Sequence, residues 1–148
     1  MKILIQRVSF AKVEVDHKIV GEIGSGVLVF VGITHTDTAM ESAWLANKLI
    51  HLRIFEDAQG KINQSLIDEK GAALIISQFT LYADCSDGRR PSFIKAAPPE
   101  IAKPLYEKFI EDVKKSGIPV ETGIFGAEMK VSLLNNGPVT LILEKSLP

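Results

Sequence analysis

Residues 26–33, GVLVFVGI, are apolar on both faces of an extended chain. A strand of that kind has to be covered on both sides by other layers, so it is expected near the centre of a sheet. The segments before it alternate. Residues 2–10 (KILIQRVSF) place Ile3, Ile5 and Arg7 on one face and Leu4, Gln6, Val8 and Phe10 on the other. Strands at 11–15 and 18–23 follow, joined by a tight turn at Asp16–His17, and Gly24-Ser25-Gly26 makes a second turn. Short links between sequential strands predict an antiparallel meander.

The period then changes to that of a helix. Thr38 and Glu41 have capping-box spacing, and Leu45, Leu49 and Leu52 follow on one face, with Trp44 and Ala46 flanking, which predicts a helix over 39–52. The polar segment 53–70 carries a turn at Asp57-Ala58-Gln59-Gly60, and 72–82 (AALIISQFTLY) reads as a strand. Residues 83–99 have loop composition and unusual length, the kind of loop that is functional or mobile. A second helix starts at Pro98-Pro99-Glu100, runs along Ile101, Leu105, Phe109 and Val113, and stops at Gly117 and Pro119. Strands at 118–122, 129–134 and 138–144 complete the chain. The expected fold is α+β, one domain over 1–148: a curved, mainly antiparallel, barrel-like sheet with two packed helices.

Composition excludes several classes. At 148 residues, 46% hydrophobic and 24% charged, the chain suits a single folded domain rather than disorder. Cys85 is the one cysteine, so no disulfide forms within the chain and no metal pattern of cysteines exists. Seventeen basic against eighteen acidic residues give a net charge of −1, so a nucleic acid must be met by a local patch. The charged start (Lys2, Arg7, Lys12, Glu14) lacks a secretory apolar core, and Val27–Val31 is too short to span a bilayer. A soluble cytoplasmic protein is expected, with no membrane, metal or cofactor.

Catalytic side chains are sparse. His17, His35 and His51 share no ligand spacing, and no GxSxG, GxxxxGK or GxGxxG motif occurs. Three polar segments stand out instead. Ser77-Gln78-Phe79-Thr80-Leu81-Tyr82 puts four hydrogen-bonding side chains within six positions; alone it reads as a strand leaving the core, with Gln78, Thr80 and Tyr82 on one face. Asn135-Asn136-Gly137-Pro138-Val139-Thr140 reads alone as a turn before a strand. Gly88-Arg89-Arg90-Pro91-Ser92-Phe93 offers two cations beside an aromatic ring, suited to phosphate and a stacked base, or to a solvated loop. Arg7, on a face with Ile3 and Ile5, needs a partner if buried.

Taken together, SQFTLY at 77–82 and NNGPVT at 135–140 resemble the two signature motifs of the D-aminoacyl-tRNA deacylase (D-tyrosyl-tRNA deacylase) family. QRV at 6–8, GRRPSF at 88–93 and GIFGAEM at 123–129 extend the resemblance over essentially the whole chain. The resemblance implies an editing hydrolase that releases D-amino acids, and mischarged glycine, from tRNA. It implies a homodimer with active sites at the subunit interface, acting on the aminoacyl-tRNA 3′ end. Gly137 and Pro138, joined by a cis bond, would enter the partner's pocket and exclude L-aminoacyl side chains, with Arg7 supporting them. Ser77, Gln78, Phe79 and Thr80 would grip the terminal adenosine and aminoacyl group, and Phe125, Ala127 and Met129 would surround it. The family mechanism uses the substrate's 2′-OH and backbone amides near Phe79 in place of a side-chain base. Arg89, Arg90 and Lys95 are candidate tRNA contacts. The rival readings are an esterase with Thr80 as nucleophile (or Ser77), a non-catalytic module that binds the tRNA 3′ end, and a structural dimer without a ligand.

Overall fold

The sheet is organised about β1 (Lys2–Val15) in the computed structural model, which describes residues 1–148. β1 pairs antiparallel with β8 (Lys130–Glu144) along nearly its whole length. Its opposite edge pairs with β3 (Gly26–Gly32) through residues 2–8 and with β2 (Lys18–Ile23) through residues 11–15. β2 and β3 therefore each pair with β1 and not with each other, and the expected meander is not formed. The antiparallel links are right, but a strand of 14 residues is long enough to take two partners on one edge.

Beyond β3 the sheet turns parallel. β3 pairs with β6 (Ala72–Ser77), and β6 with β7 (Val120–Thr122). Parallel neighbours need a long crossover, and the two long helices lie in these connections. α1 (Ala39–His51) falls between β3 and β6, and α3 (Pro99–Lys115) between β6 and β7. The result is a mixed, curved α+β sheet with its two principal helices, as expected from the pattern. The curvature is sharp enough to bring β2 back against β7: a Cβ on Gly21 would stand 2.6 Å from the Thr122 carbonyl oxygen, so only glycine allows that closure. No helix is long and apolar enough to cross a membrane.

β3 is buried on both faces. Val27, Val29 and Val31 join Ile3, Ile5, Leu45, Leu49 and Phe109 beneath the helices, while Leu28 joins Val8, Ala11, Val13, Leu74 and Ile76 on the other side. α3 buries Ala102, Tyr106, Phe109 and Val113 rather than the full expected stripe: Leu105 is half-buried and Ile101 lies at the exposed margin. The smaller Ala102 and amphipathic Tyr106 lie at mixed i+3 and i+4 spacing, which a strict i+4 stripe misses.

Three local expectations are corrected. The strand read over 72–82 ends at Ser77, and Phe79–Tyr82 is a 3-10 turn, so Gln78, Thr80 and Tyr82 share no strand face. Gln78 donates its amide to Val31 (2.7 Å), the last ladder-like bond, and Leu81 and Ala83 then close turns onto Gln78 and Thr80. The strands read at 129–134 and 138–144 are one strand, because both flanks of the Asn135–Pro138 segment pair with β1. The pairing steps from Gln6 with Thr140 to Val8 with Asn135, so residues 136–139 bulge out opposite Arg7. The polar segment 53–70 contains β4 (Phe55–Glu56), β5 (Ile62–Gln64) and the single-turn α2 (Leu66–Glu69) around the expected turn, where Gly60 donates to Asp57.

The α1 cap forms as the spacing predicts. Thr38 Oγ1 accepts from the Met40 amide (3.2 Å), and Glu41 Oε2 accepts from the Thr38 amide and hydroxyl (2.7 Å each). Burial pushes the Glu41 carboxyl up, but the bonds from Thr38 outweigh it and hold the group below its ordinary value. A depressed folded-state value means that the contribution exists above the ordinary carboxylate range and disappears as pH falls through the folded value. Glu41→Gln is therefore expected to lower stability by about 1 kcal/mol at pH 7. The gap to the parent should close toward pH 3, as thermal melts at the two pH values would report.

Candidate active site

The C-terminal ends of β3 and β6, the turn after β6 and the start of α3 surround a cavity of about 550 Å³. Val31, Ile76 and Ser77 form its floor, continued by Gln78 and Phe79. Phe93, Ala96 and Ala97 of the long loop, with Pro99 and Ala102 of α3, make one wall. Phe125, Ala127, Met129 and Val131 make the other. Phe79 and Phe93 meet edge to face at 5.3 Å between ring centres, and Phe125 leans on Tyr106 at 5.8 Å. Tyr106 is itself fixed by its hydroxyl, which donates to the Ile75 carbonyl (2.8 Å).

No titratable side chain lines this cavity. His35 donates Nε2–H to Ile94 (2.7 Å), His51 bonds Asn47 within α1, and His17 sits in the β1–β2 turn. Burial pushes the Tyr82 and Tyr106 phenols above their ordinary value, so neither is a base near neutral pH. Polar capacity comes from Ser77, Gln78 and the backbone. The Phe79 and Thr80 amides open the 3-10 turn and have no carbonyl within it to receive them, and Phe79 is the one of the two whose residue lines the cavity. Gln78 Nε2 donates to Thr80 Oγ1, and Thr80 itself lines no part of the cavity. A cavity of this kind suits an apolar or aromatic group with a few polar contacts at its edge.

Of the residues expected here, Ser77, Gln78, Phe79, Phe125, Ala127 and Met129 come together. Gly137 and Pro138 do not join them in the same chain. They sit on the β8 bulge, exposed, with a cis peptide between them. Beneath the bulge Arg7 is 2% exposed and meets no carboxylate. Its Nε donates to the Asn136 carbonyl (3.0 Å), one terminal nitrogen to Gly137 (3.1 Å) and the other to Ile54 (2.8 Å). Three carbonyl dipoles thus replace the water that the guanidinium loses. Arg89 and Arg90 are exposed in the long loop, whereas Lys95 pairs with Asp84 (3.0 Å). The walls supplied by Ala96, Ala97, Pro99 and Ala102 were not expected from sequence; the length of the 83–99 loop was the only signal for the first three, and Ala102 of α3 had none.

This apolar cavity, flanked by Ser77, Gln78 and Phe79 and free of titratable side chains, is the candidate active site of an α+β domain. The model of the D-Tyr-tRNA(Tyr) deacylase family matches residues 4–144. A D-aminoacyl-tRNA deacylase of Thermomicrobium roseum is 56% identical over 146 residues, 99% of this chain and 95% of that protein. One of Fusobacterium nucleatum subsp. nucleatum is 59% identical over 144 residues, 97% of this chain and 95% of that protein. A solved structure described as a c-Myc DNA unwinding element binding protein superimposes with a TM-score of 0.92 at 38% identity, covering 99% of this chain and all of that one. The chain belongs to the D-Tyr-tRNA(Tyr) deacylase family.

The place of Phe79 in the cavity depends on how the 3-10 turn lies on β3, and Gly32 sets that distance. A Cβ there would stand 2.9 Å from Leu81 Cβ and 3.2 Å from the Gln78 carbonyl oxygen. Gly32→Ala is expected to lift the turn and misplace the Phe79 amide. Hydrolysis of the family's ester substrate should fall by about tenfold or more. The stability loss, about 1–3 kcal/mol by denaturant titration, should leave the protein folded.

Proposed function

We propose that this protein hydrolyses the ester of D-aminoacyl-tRNA, releasing free D-amino acid and tRNA, and accepts the glycyl ester by the same route. The single observation that carries the reading is the apolar cavity at the start of the 3-10 turn, with no titratable side chain in its lining. The terminal adenosine and the aminoacyl group occupy the cavity, where Phe79, Phe93 and Phe125 offer aromatic faces. Water adds to the ester carbonyl carbon, and charge develops on the carbonyl oxygen facing the Phe79 and Thr80 amides. The bond to the ribose 3′ oxygen then breaks. That oxygen leaves with a proton relayed from the attacking water through the neighbouring 2′-OH. Binding and orientation supply the rate, not a protein base.

Chirality is set by exclusion in this reading. The Gly137 and Pro138 carbonyls stand where an L-side chain would go, so a D-side chain or a hydrogen fits and an L-side chain clashes. Gly137 and Pro138 line no part of the cavity of their own chain, which supports their action in a second copy. A homodimer is further supported by β8. Its outer edge has no strand partner, and Leu134, Leu141 and Ile142 are exposed along it. The exposed Arg89 and Arg90 meet tRNA phosphates near the acceptor end, and Lys95, held by Asp84, contributes less. The setting is the cytoplasm, where tRNA is charged.

Matched D-Tyr-tRNA and L-Tyr-tRNA, each with an enzyme-free control, provide the test. Release of D-tyrosine with the L-ester spared is the expected result. Binding of the tRNA end without release of either amino acid, by folded protein, would overturn the deacylase reading. Thr80→Ala is expected to lower turnover by about tenfold or less, since Thr80 makes only a hydrogen bond in this scheme. Complete loss would restore Thr80 as a nucleophile.

A further inference from the structure

We infer that Asn135 is a positioning residue for the Gly137–Pro138 element, and through it for discrimination between D- and L-aminoacyl esters. The inference rests on the reading of that element given above.

The bulge leaves residues 136–139 outside the ladder with β1, so their carbonyls must be fixed by side chains. Arg7 fixes two of them from below, those of Asn136 and Gly137. The mouth of the bulge is closed by Asn135. Its Nδ2 donates to the Arg7 carbonyl (3.0 Å) on β1 and to the Val139 carbonyl (3.1 Å) at the far end of the bulge. Its Oδ1 accepts from Thr140 Oγ1 (3.3 Å), which in turn accepts from Gln6 Nε2 (3.4 Å). One side-chain amide thus ties the first and last residues of the bulge to each other and to the opposite strand.

The demand on residue type is narrow. Two carbonyls need two hydrogens from one planar nitrogen, and the hydroxyl needs an acceptor on the same group. Aspartate would turn an oxygen toward two carbonyl oxygens. Glutamine adds a methylene, and alanine has no reach. Without the staple the bulge keeps its Arg7 bonds but loses its fixed width. The carbonyls that exclude an L-side chain then stray by more than the fraction of an ångström that such exclusion tolerates. In this reading a D-side chain lies away from these carbonyls, so the D-ester is affected less.

The test measures deacylation of D-Tyr-tRNA and L-Tyr-tRNA by the parent and by Asn135→Ala, Asn135→Asp, Thr140→Val and Pro138→Ala, with melting temperatures for each. In Asn135→Ala the D/L ratio of kcat/KM is expected to fall by about tenfold, through faster hydrolysis of the L-ester and a D-rate within about twofold of the parent. Asn135→Asp should fall further, and Thr140→Val by about twofold to threefold. An unchanged ratio in the Asn135 and Thr140 variants, with discrimination lost in Pro138→Ala, would overturn the inference and leave the reading of Gly137–Pro138 standing. An equal loss of both rates would also overturn it, since that marks a merely structural role. An unchanged ratio in Pro138→Ala as well would sink both. Should the Asn135 variants fail to fold, Thr140→Val, which keeps the β-branched shape, decides alone.

Discussion

A guanidinium with no carboxylate beside it holds this structure's most unusual segment. Arg7 is buried in β1 among apolar neighbours, and its charge is met by the carbonyls of Ile54, Asn136 and Gly137. A carboxylate would have neutralised the arginine and left the bulge carbonyls free. Carbonyls make the arginine depend on the bulge and the bulge on the arginine. Because Ile54 follows α1, the same side chain also ties β8 to the helical layer.

That dependence explains why β8 is one strand. Both flanks of the Asn135–Pro138 segment find partners along β1, and the four residues between them have somewhere to go because Arg7 receives them. The candidate cavity is built by a different device. The parallel ladder between β3 and β6 stops at Ser77, and the backbone folds into a 3-10 turn over Gly32. One element is supplied by an interrupted strand, the other by a terminated one. Each breaks the regular hydrogen-bond pattern and leaves backbone groups outside the sheet.

Much of this was legible in the sequence, and the failures have physical reasons. The double-sided burial of β3, the Thr38–Glu41 cap and the ends of α3 are local patterns, and each forms where the residues indicate. The apolar cluster of Phe79, Phe125, Ala127 and Met129 was legible through the family resemblance. The extent of the strand ending at Ser77 was not. QFTLY has β propensity, and what turns it aside is its fit over a glycine some 45 positions earlier in the chain. Turn and bulge share one composition, so NNGP could not reveal whether the chain reverses or resumes; pairing with β1 decides that, and pairing is non-local. The parallel links were hidden for the same reason. Ala96, Ala97 and Ala102 carry no chemistry of their own, so their place in the cavity wall is visible only in three dimensions.

In the proposed scheme the donors that meet the ester oxygen belong to the peptide chain and not to any side chain. Every amino acid but proline carries the same N–H. Point substitutions at positions 79 and 80 can alter shape and contacts, yet almost none of them can delete the donor itself. The vulnerable inheritance of such a site lies in residues that never face the substrate, those that hold the backbone in its path.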